Sequence, residues 1–178
     1  MEGTGRLDWG LHEECGVFGI SDSEGGCAQT TYYGLYALQH RGQEACGIAA
    51  INCREQSFYK DAGLVSEVFD EESLRRLNGT MAVGHVPYAT TRENAQPLTI
   101  KYAKGTLAVV HNGNLLDVEK LRRDFEYRGA IFHTTSDSEL IAYAIAQARL
   151  HCGSVEEAVC RATAQLRGAF SLLVMSPR

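Results

Sequence analysis

The chain has no long hydrophobic run: its longest uninterrupted apolar stretch is the seven residues Leu140–Ala146, against the roughly 20 that a membrane helix needs. A membrane helix is therefore excluded, and no membrane partner is expected. Residues Met1–Glu14 contain Glu2, Asp8, Glu13 and Glu14 and no apolar core, so this leader does not read as a secretory signal and a cytoplasmic location is expected. The six cysteines, at 15, 27, 46, 53, 152 and 160, form no C-x-x-C pair. Neither a zinc site nor a disulfide framework is suggested, and most of the thiols are expected to be buried. The net charge of -5 is spread without a basic run, which leaves no footprint for nucleic acid and favours a small-molecule ligand. Internal repeats, low-complexity tracts and linkers are also missing. What remains is ordinary for a globular protein: 178 residues, 44% hydrophobic, 22% charged and 8% aromatic. One domain of that length can bury roughly two-thirds of its unfolded surface.

Short apolar segments flanked by turn formers predict strands at Cys15–Ile20, Gly47–Cys53, Met81–Val86, Thr106–Val110 and Ala169–Met175. Helical spacing is clearer. Leu140, Ile141, Ala144, Ile145 and Ala148 lie on one face, as do Val155, Ala158, Val159, Ala162 and Leu166. Capping boxes are expected at both starts, Ser136 with Glu139 and Ser154 with Glu157. Further helices are predicted from Asp117 to Tyr127 and from about Thr30 to His40. Strands, then helices, then a strand indicate a layered α+β fold rather than regular βαβ alternation.

Cys15 stands in Glu14-Cys15-Gly16-Val17-Phe18-Gly19-Ile20, after the polar leader and at the start of a strand. In isolation such a cysteine reads more readily as a small buried hydrophobe than as a nucleophile. Five ordered blocks change that reading: Leu38-Gln39-His40-Arg41-Gly42-Gln43-Glu44-Ala45-Cys46-Gly47-Ile48, then Gly63–Phe69, Gly84-His85-Val86-Pro87-Tyr88-Ala89-Thr90, His111-Asn112-Gly113-Asn114-Leu115 and Thr135-Ser136-Asp137-Ser138-Glu139. Together they resemble the class II glutamine amidotransferases, members of the N-terminal-nucleophile hydrolases, over nearly the whole chain. The first block is similar to the signature of the amidophosphoribosyltransferase branch. Glucosamine-6-phosphate synthases usually show Tyr-Arg-Gly-Tyr where this chain has His40-Arg41-Gly42-Gln43.

The resemblance implies a four-layer αββα fold and hydrolysis of glutamine to glutamate and ammonia. The amide is a poor electrophile, so the reaction is split: a thiolate attacks, ammonia leaves, and water cleaves the thioester. Cys15 matches the nucleophile. Freed of its leader, its own α-amine, with an ordinary pKa of about 7.7 to 8.0, can act as general base. Asn112 and Gly113 match the oxyanion donors, although Asn-Gly alone more often marks a tight turn. Arg41, Gly42, His85, Thr90 and Asp137 match substrate-binding positions, with Asp137 placed to pair with the glutamine α-ammonium. Taken singly, Arg41 reads as a solvated charge, His85 as a satisfied core histidine, and Asp137 as an acid favoured in a helix's first turn.

Two departures stand out. The family has an arginine at the position of Pro87, where it clamps the glutamine α-carboxylate, and proline brings no donor; the segment after Thr90 is also shortened, and Arg92 is a candidate replacement. The pattern further implies a leader, 1–14, and a glutaminase domain, 15–178, incomplete at its C-terminus. No phosphate-binding glycine loop followed by acidic residues occurs, so the phosphoribosyltransferase part is absent from this chain. No cofactor or metal is implied here; Mg2+, and in members with a leader often an iron–sulfur cluster, belong to a full-length parent, which is expected to be a homo-oligomer. In such a parent the ammonia supplies phosphoribosylamine synthesis, the first step of de novo purine biosynthesis. The alternative is a degenerate binding or regulatory module, or an inactive fragment, in which Pro87 has ended catalysis.

Overall fold

A computed structural model describes residues 15–53, 55–88 and 94–177. The leader, Thr90 and Arg92 lie outside the described residues. Strands β1 (Gly16–Ser21), β2 (Ala45–Asn52), β3 (Glu55–Ala62) and β4 (Met81–Val86) form an antiparallel sheet in the order β1-β4-β2-β3. Strands β5 (Leu98–Tyr102), β6 (Gly105–Leu115) and β7 (Gly168–Met175) form a second, in the order β5-β6-β7. Helix α1 (Cys27–Ala37), followed by a 3-10 turn at Gln39–Arg41, covers the first sheet together with the short α2 (Val65–Val68) and α3 (Glu71–Arg76). Helices α4 (Val118–Glu126), α5 (Asp137–His151) and α6 (Val155–Thr163) cover the second.

Strand periodicity assigns each side chain to a layer, because successive residues point to opposite faces. On β4, Met81 and Val83 meet Ala49 and Ile51 of β2 and Ala108 and Val110 of β6 between the sheets. Ala82 and Val86 point the other way, onto Leu35 of α1 and beside Cys46, Ile48 and Ala50 of β2. On β6, Leu107, Val109 and Leu115 face Leu140, Ile141 and Ile145 of α5. The result is helix, sheet, sheet, helix: the expected αββα stack, with a separate apolar core at each of its three interfaces.

The strand at Met81–Val86 falls where the sequence places it, and α4 and α6 differ from expectation only at their ends. Helix α1 starts three residues earlier than expected, and its last predicted turn is the separate 3-10 segment. The helix starts correct the expected capping boxes. Ser136 Oγ accepts from Ser138 N at 3.2 Å, while the Glu139 carboxylate reaches back to the N–H groups of His133 and Thr134. Ser154 Oγ does accept from Glu157 N (3.1 Å), but Glu157 returns to Gly153 N (3.0 Å) rather than to the cap residue. Each carboxylate thus ties down the incoming loop. Of the cysteines, Cys27, Cys46 and Cys152 are buried, Cys53 and Cys160 are exposed, and Cys15 lies between, so half rather than most are core thiols. Burial, with Asp61 and Glu67 nearby, pushes the Cys46 thiol up to about 12.

Candidate active site

The site forms where β1 begins and β4 and β6 end. Gly16 pairs with Val86, so Cys15, one residue earlier, lies opposite Pro87 as the register continues. The Tyr88 N–H donates to Cys15 Sγ at 3.4 Å. From the other sheet, Asn112 Nδ2 donates to the Cys15 carbonyl oxygen at 2.8 Å, a contact across 97 residues of sequence. Asn112 follows Ala108 and Val110 in alternation on β6, which turns its amide toward the first sheet.

Asn112-Gly113 is not a turn. β6 runs straight through it, with Asn112 opposite Ser171 and Gly113 opposite Phe170 on β7. Gly113 has φ +135°, and a Cβ there would fall 2.2 Å from the Ala169 carbonyl. Only glycine lets β6 lie so close to β7 in this conformation. The tight-turn reading fails because β7, far away in the chain, supplies the pairing partner.

The 3-10 turn after α1 brings Arg41 and Gly42 to the same end. Arg41 is half-buried and Gly42 buried; a Cβ on Gly42 would come within 2.4 Å of the Pro87 carbonyl and 2.5 Å of the Val86 carbonyl. Gln39 holds this turn, donating from Nε2 to the Gly42 carbonyl (2.5 Å) and accepting at Oε1 from Val65 N (2.6 Å). It joins two of the sequence blocks, a role that its place in both a helix-end turn and a polar motif could have signalled. Pro87 is buried at the end of β4, where its restriction of Val86 to extended geometry costs nothing.

Asp137 opens α5. Its Oδ2 accepts from Leu115 N at 3.3 Å, and its Oδ1 lies 3.5 Å from Nδ1 of the buried His111, whose ring also meets Ser138 Oγ at 3.2 Å. Burial alone would raise the Asp137 pKa, but the His111 ring and the N–H groups of Leu115 and Ser138 outweigh it and hold the carboxyl below its ordinary value. The helix-start reading of Asp137 is thus only part of its role, since the carboxylate also binds the end of β6. His85, 1% exposed, belongs by alternation to the layer between the sheets. Neither of its ring nitrogens has a hydrogen-bond partner among the described residues, so within them it is not the satisfied core histidine its sequence context suggests. Burial first, and His111 second, push its pKa down to about 3. Cys15, Asn112, Gly113, Gly42 and Asp137 therefore gather at one end of the stack, His85 sits just inside it, and Thr90 lies outside the described residues.

The αββα layering, with a cysteine immediately before the first strand, defines the N-terminal-nucleophile hydrolase fold. Residues 84–178 match the family described as the glutamine amidotransferase domain, and the chain belongs to that family. It is 43% identical to an amidophosphoribosyltransferase of Methanocaldococcus jannaschii, over 90% of this chain and 35% of the relative. It is 46% identical to that of a Synechocystis strain, over 93% of this chain and 34% of the relative. A solved glutamine phosphoribosylpyrophosphate amidotransferase from B. subtilis, complexed with ADP and GMP, superimposes with a TM-score of 0.78 at 38% identity, covering 92% of this chain and 35% of that one. The chain thus spans about a third of the length of the relatives it matches.

Proposed function

We propose that this chain hydrolyses glutamine to glutamate and ammonia, with Cys15 as nucleophile. The observation that carries the reading is the Asn112 amide, 2.8 Å from the Cys15 carbonyl: it brings a donor from the second sheet to the residue immediately before the first strand. An amide nitrogen has two hydrogens. One is spent on Cys15; the other, with the Gly113 N–H, is available to a tetrahedral oxyanion formed at the thiol. The Tyr88 N–H donates to Sγ and holds the thiol at this end of the stack.

Removal of Met1–Glu14 supplies the base. With the leader attached, the nitrogen of Cys15 is an amide with no basic lone pair; as a free α-amine it takes the thiol proton and passes it to departing ammonia. Arg41, Gly42, His85, Thr90 and Asp137 form the glutamine pocket in this reading. Asp137, whose carboxyl its surroundings hold below the ordinary value, offers the charge that an α-ammonium requires. Within a full-length enzyme of the amidophosphoribosyltransferase kind, the ammonia feeds phosphoribosylamine synthesis in the cytoplasm, in a self-associating parent. Mg2+ and an iron–sulfur cluster would be held by that parent's remainder. Among the described residues no three His, Cys, Asp or Glu side chains are grouped to hold a metal ion, and no step here runs through one.

Intact mass and ammonia release, measured on the same preparation, test the proposal. The expected result is a protein beginning at Cys15 that releases ammonia from glutamine and is labelled at Cys15 by a glutamine-like electrophile. Hydrolysis with the leader intact would defeat the amine as base, and labelling at Cys46 or Cys152 would defeat the nucleophile.

A further inference from the structure

The geometry points to Gln96 as the residue that positions the oxyanion donors, by capping the edge of β6 immediately before Asn112 and Gly113. This rests on the glutaminase reading for its kinetic consequence and on hydrogen bonding alone for its structural one.

β5 and β6 pair in the register Leu98 to Val109. Continued by two residues, that register sets Gln96 opposite His111. A backbone pair there would use both the N–H and the C=O of His111, but β5 has ended. The Gln96 backbone has moved to the other sheet, its carbonyl so near Gly47 of β2 that a Cβ would fall 2.1 Å away. The side chain takes over instead. Gln96 Oε1 accepts from His111 N at 2.6 Å, and Gln96 Nε2 donates to His111 O at 3.0 Å. A primary amide has the same donor and acceptor as a peptide, so a side chain 8% exposed completes the ladder where a strand no longer can.

Alternation gives this cap its meaning. N–H groups of a strand point to opposite edges in turn, so His111, Gly113 and Leu115 all present theirs to the β5 side. Gln96 occupies His111, and Asp137 Oδ2 occupies Leu115. Gly113 lies between the two caps, its N–H facing an edge that no described strand covers. Two side chains therefore hold β6 on either side of the residue whose N–H must stay available. The support is itself anchored: Lys60 of β3 donates to the carbonyls of Ala95 and Pro97, and Asn94 Nδ2 donates to Thr135 Oγ1 at 3.3 Å. Gln96 touches neither thiol nor substrate, so it is a positioning residue.

The test uses Gln96→Ala and Gln96→Glu in the full-length protein, with two readouts. In Gln96→Ala, amide hydrogen exchange at His111 is expected to accelerate. Its kcat for glutamine hydrolysis is expected to fall by about tenfold to a hundredfold, part of the roughly 10²- to 10³-fold lost when an oxyanion donor is removed outright. KM should change by less than about threefold, and alkylation of Cys15 by iodoacetamide, which forms no oxyanion, should be unchanged. Gln96→Glu separates position from packing. Ionised, it keeps the acceptor and loses the donor; protonated, it regains both. Its kcat relative to wild type should therefore recover between about pH 8 and pH 5.5, in a site whose burial raises a carboxyl pKa. If the alanine variant fails to fold, the glutamate variant across pH decides. Unchanged exchange with unchanged kcat, a change confined to KM, a parallel loss of Cys15 alkylation, or a glutamate variant without acid recovery would each overturn the proposal. Should the wild type release no ammonia, the glutaminase reading falls by itself. Exchange at His111 then decides the positioning role, and an unmoved rate in Gln96→Ala overturns it.

Discussion

The two walls of the site are built on different principles. On the β6 side, position is set by directed hydrogen bonds: Asn112 to the Cys15 carbonyl, Gln96 to both polar groups of His111, and Asp137 to Leu115 N. On the β4 side, the turn that Gln39 pins by hydrogen bonds meets the end of β4 by shape. Gly42 presses on the Val86 and Pro87 carbonyls with no room for a Cβ, and the residue at 87 brings no donor at all. A wall of directed bonds preserves the geometry that bond-making requires, whereas a wall held by steric fit can keep its form while losing what it offers a ligand. In the proposed glutaminase, the reaction machinery and the grip on glutamine are then separable, and Pro87 falls in the second.

The largest expected effect falls on the first wall. Cys15→Ser keeps the fold but should lower ammonia release by at least about a thousandfold, since a hydroxyl is a far weaker nucleophile at neutral pH; steady-state assay and thermal melting of the same sample check both halves. Asn112→Ala removes one oxyanion donor and should cost roughly 10² to 10³ in kcat, with KM moving little; a loss mainly in KM would move Asn112 to the recognition wall.

His85 belongs to neither wall by its hydrogen bonds, and it sharpens the contrast through stability. Its folded pKa, about 3, is depressed below an unfolded value of about 6.5. The stability held by its neutral ring is therefore full above about pH 6.5, and is lost progressively as pH falls toward 3. Linkage sets the loss at about 3 kcal/mol between pH 7 and pH 4. Urea melts should show this slope in wild type and a flatter one in His85→Gln; equal slopes would place the acid sensitivity elsewhere, with the Asp137 carboxyl the next group to examine.

The smallest effect concerns the second wall. Pro87→Arg restores a charged donor, and one such bond is worth about 1.5 to 3 kcal/mol, so KM for glutamine should improve by roughly ten- to over a hundredfold, with kcat moving less. No gain from Pro87→Arg, together with lost glutamine binding in Arg92→Ala, would mean that the clamp has moved to Arg92.

Much of the fold was legible because its signals are local. Met81–Val86 is an apolar run in which both faces are covered, and α5 and α6 carry helical spacing over several turns. The sequence does not predict β3: Glu55-Gln56-Ser57-Phe58-Tyr59-Lys60-Asp61-Ala62 is a polar edge strand whose pairing with β2, rather than its composition, makes it extended. Nor does it predict β5, which is only five residues long and paired with β6 through the tight turn before Gly105. The same non-locality explains the site. Cys15, Asn112 and Gly113 could be named from motifs, but the continuation of β6 past Val110 depends on β7. The Gln96 cap depends on where β5 stops, and no motif encodes that.

Cys46 turns the first sheet into its own stability gauge. Its thiol is fully buried on β2, and its pKa of about 12 leaves almost no thiolate at neutral pH. A native molecule should therefore show thiol reagents only Cys15, Cys53 and Cys160. Modification of Cys46 must await an opening that lifts α1 off the sheet or parts β2 from its neighbours. Its labelling rate, read after Cys15, Cys53 and Cys160 have reacted, then counts those openings, giving the free energy of the cooperative unit that carries β1 and β4 without any denaturant.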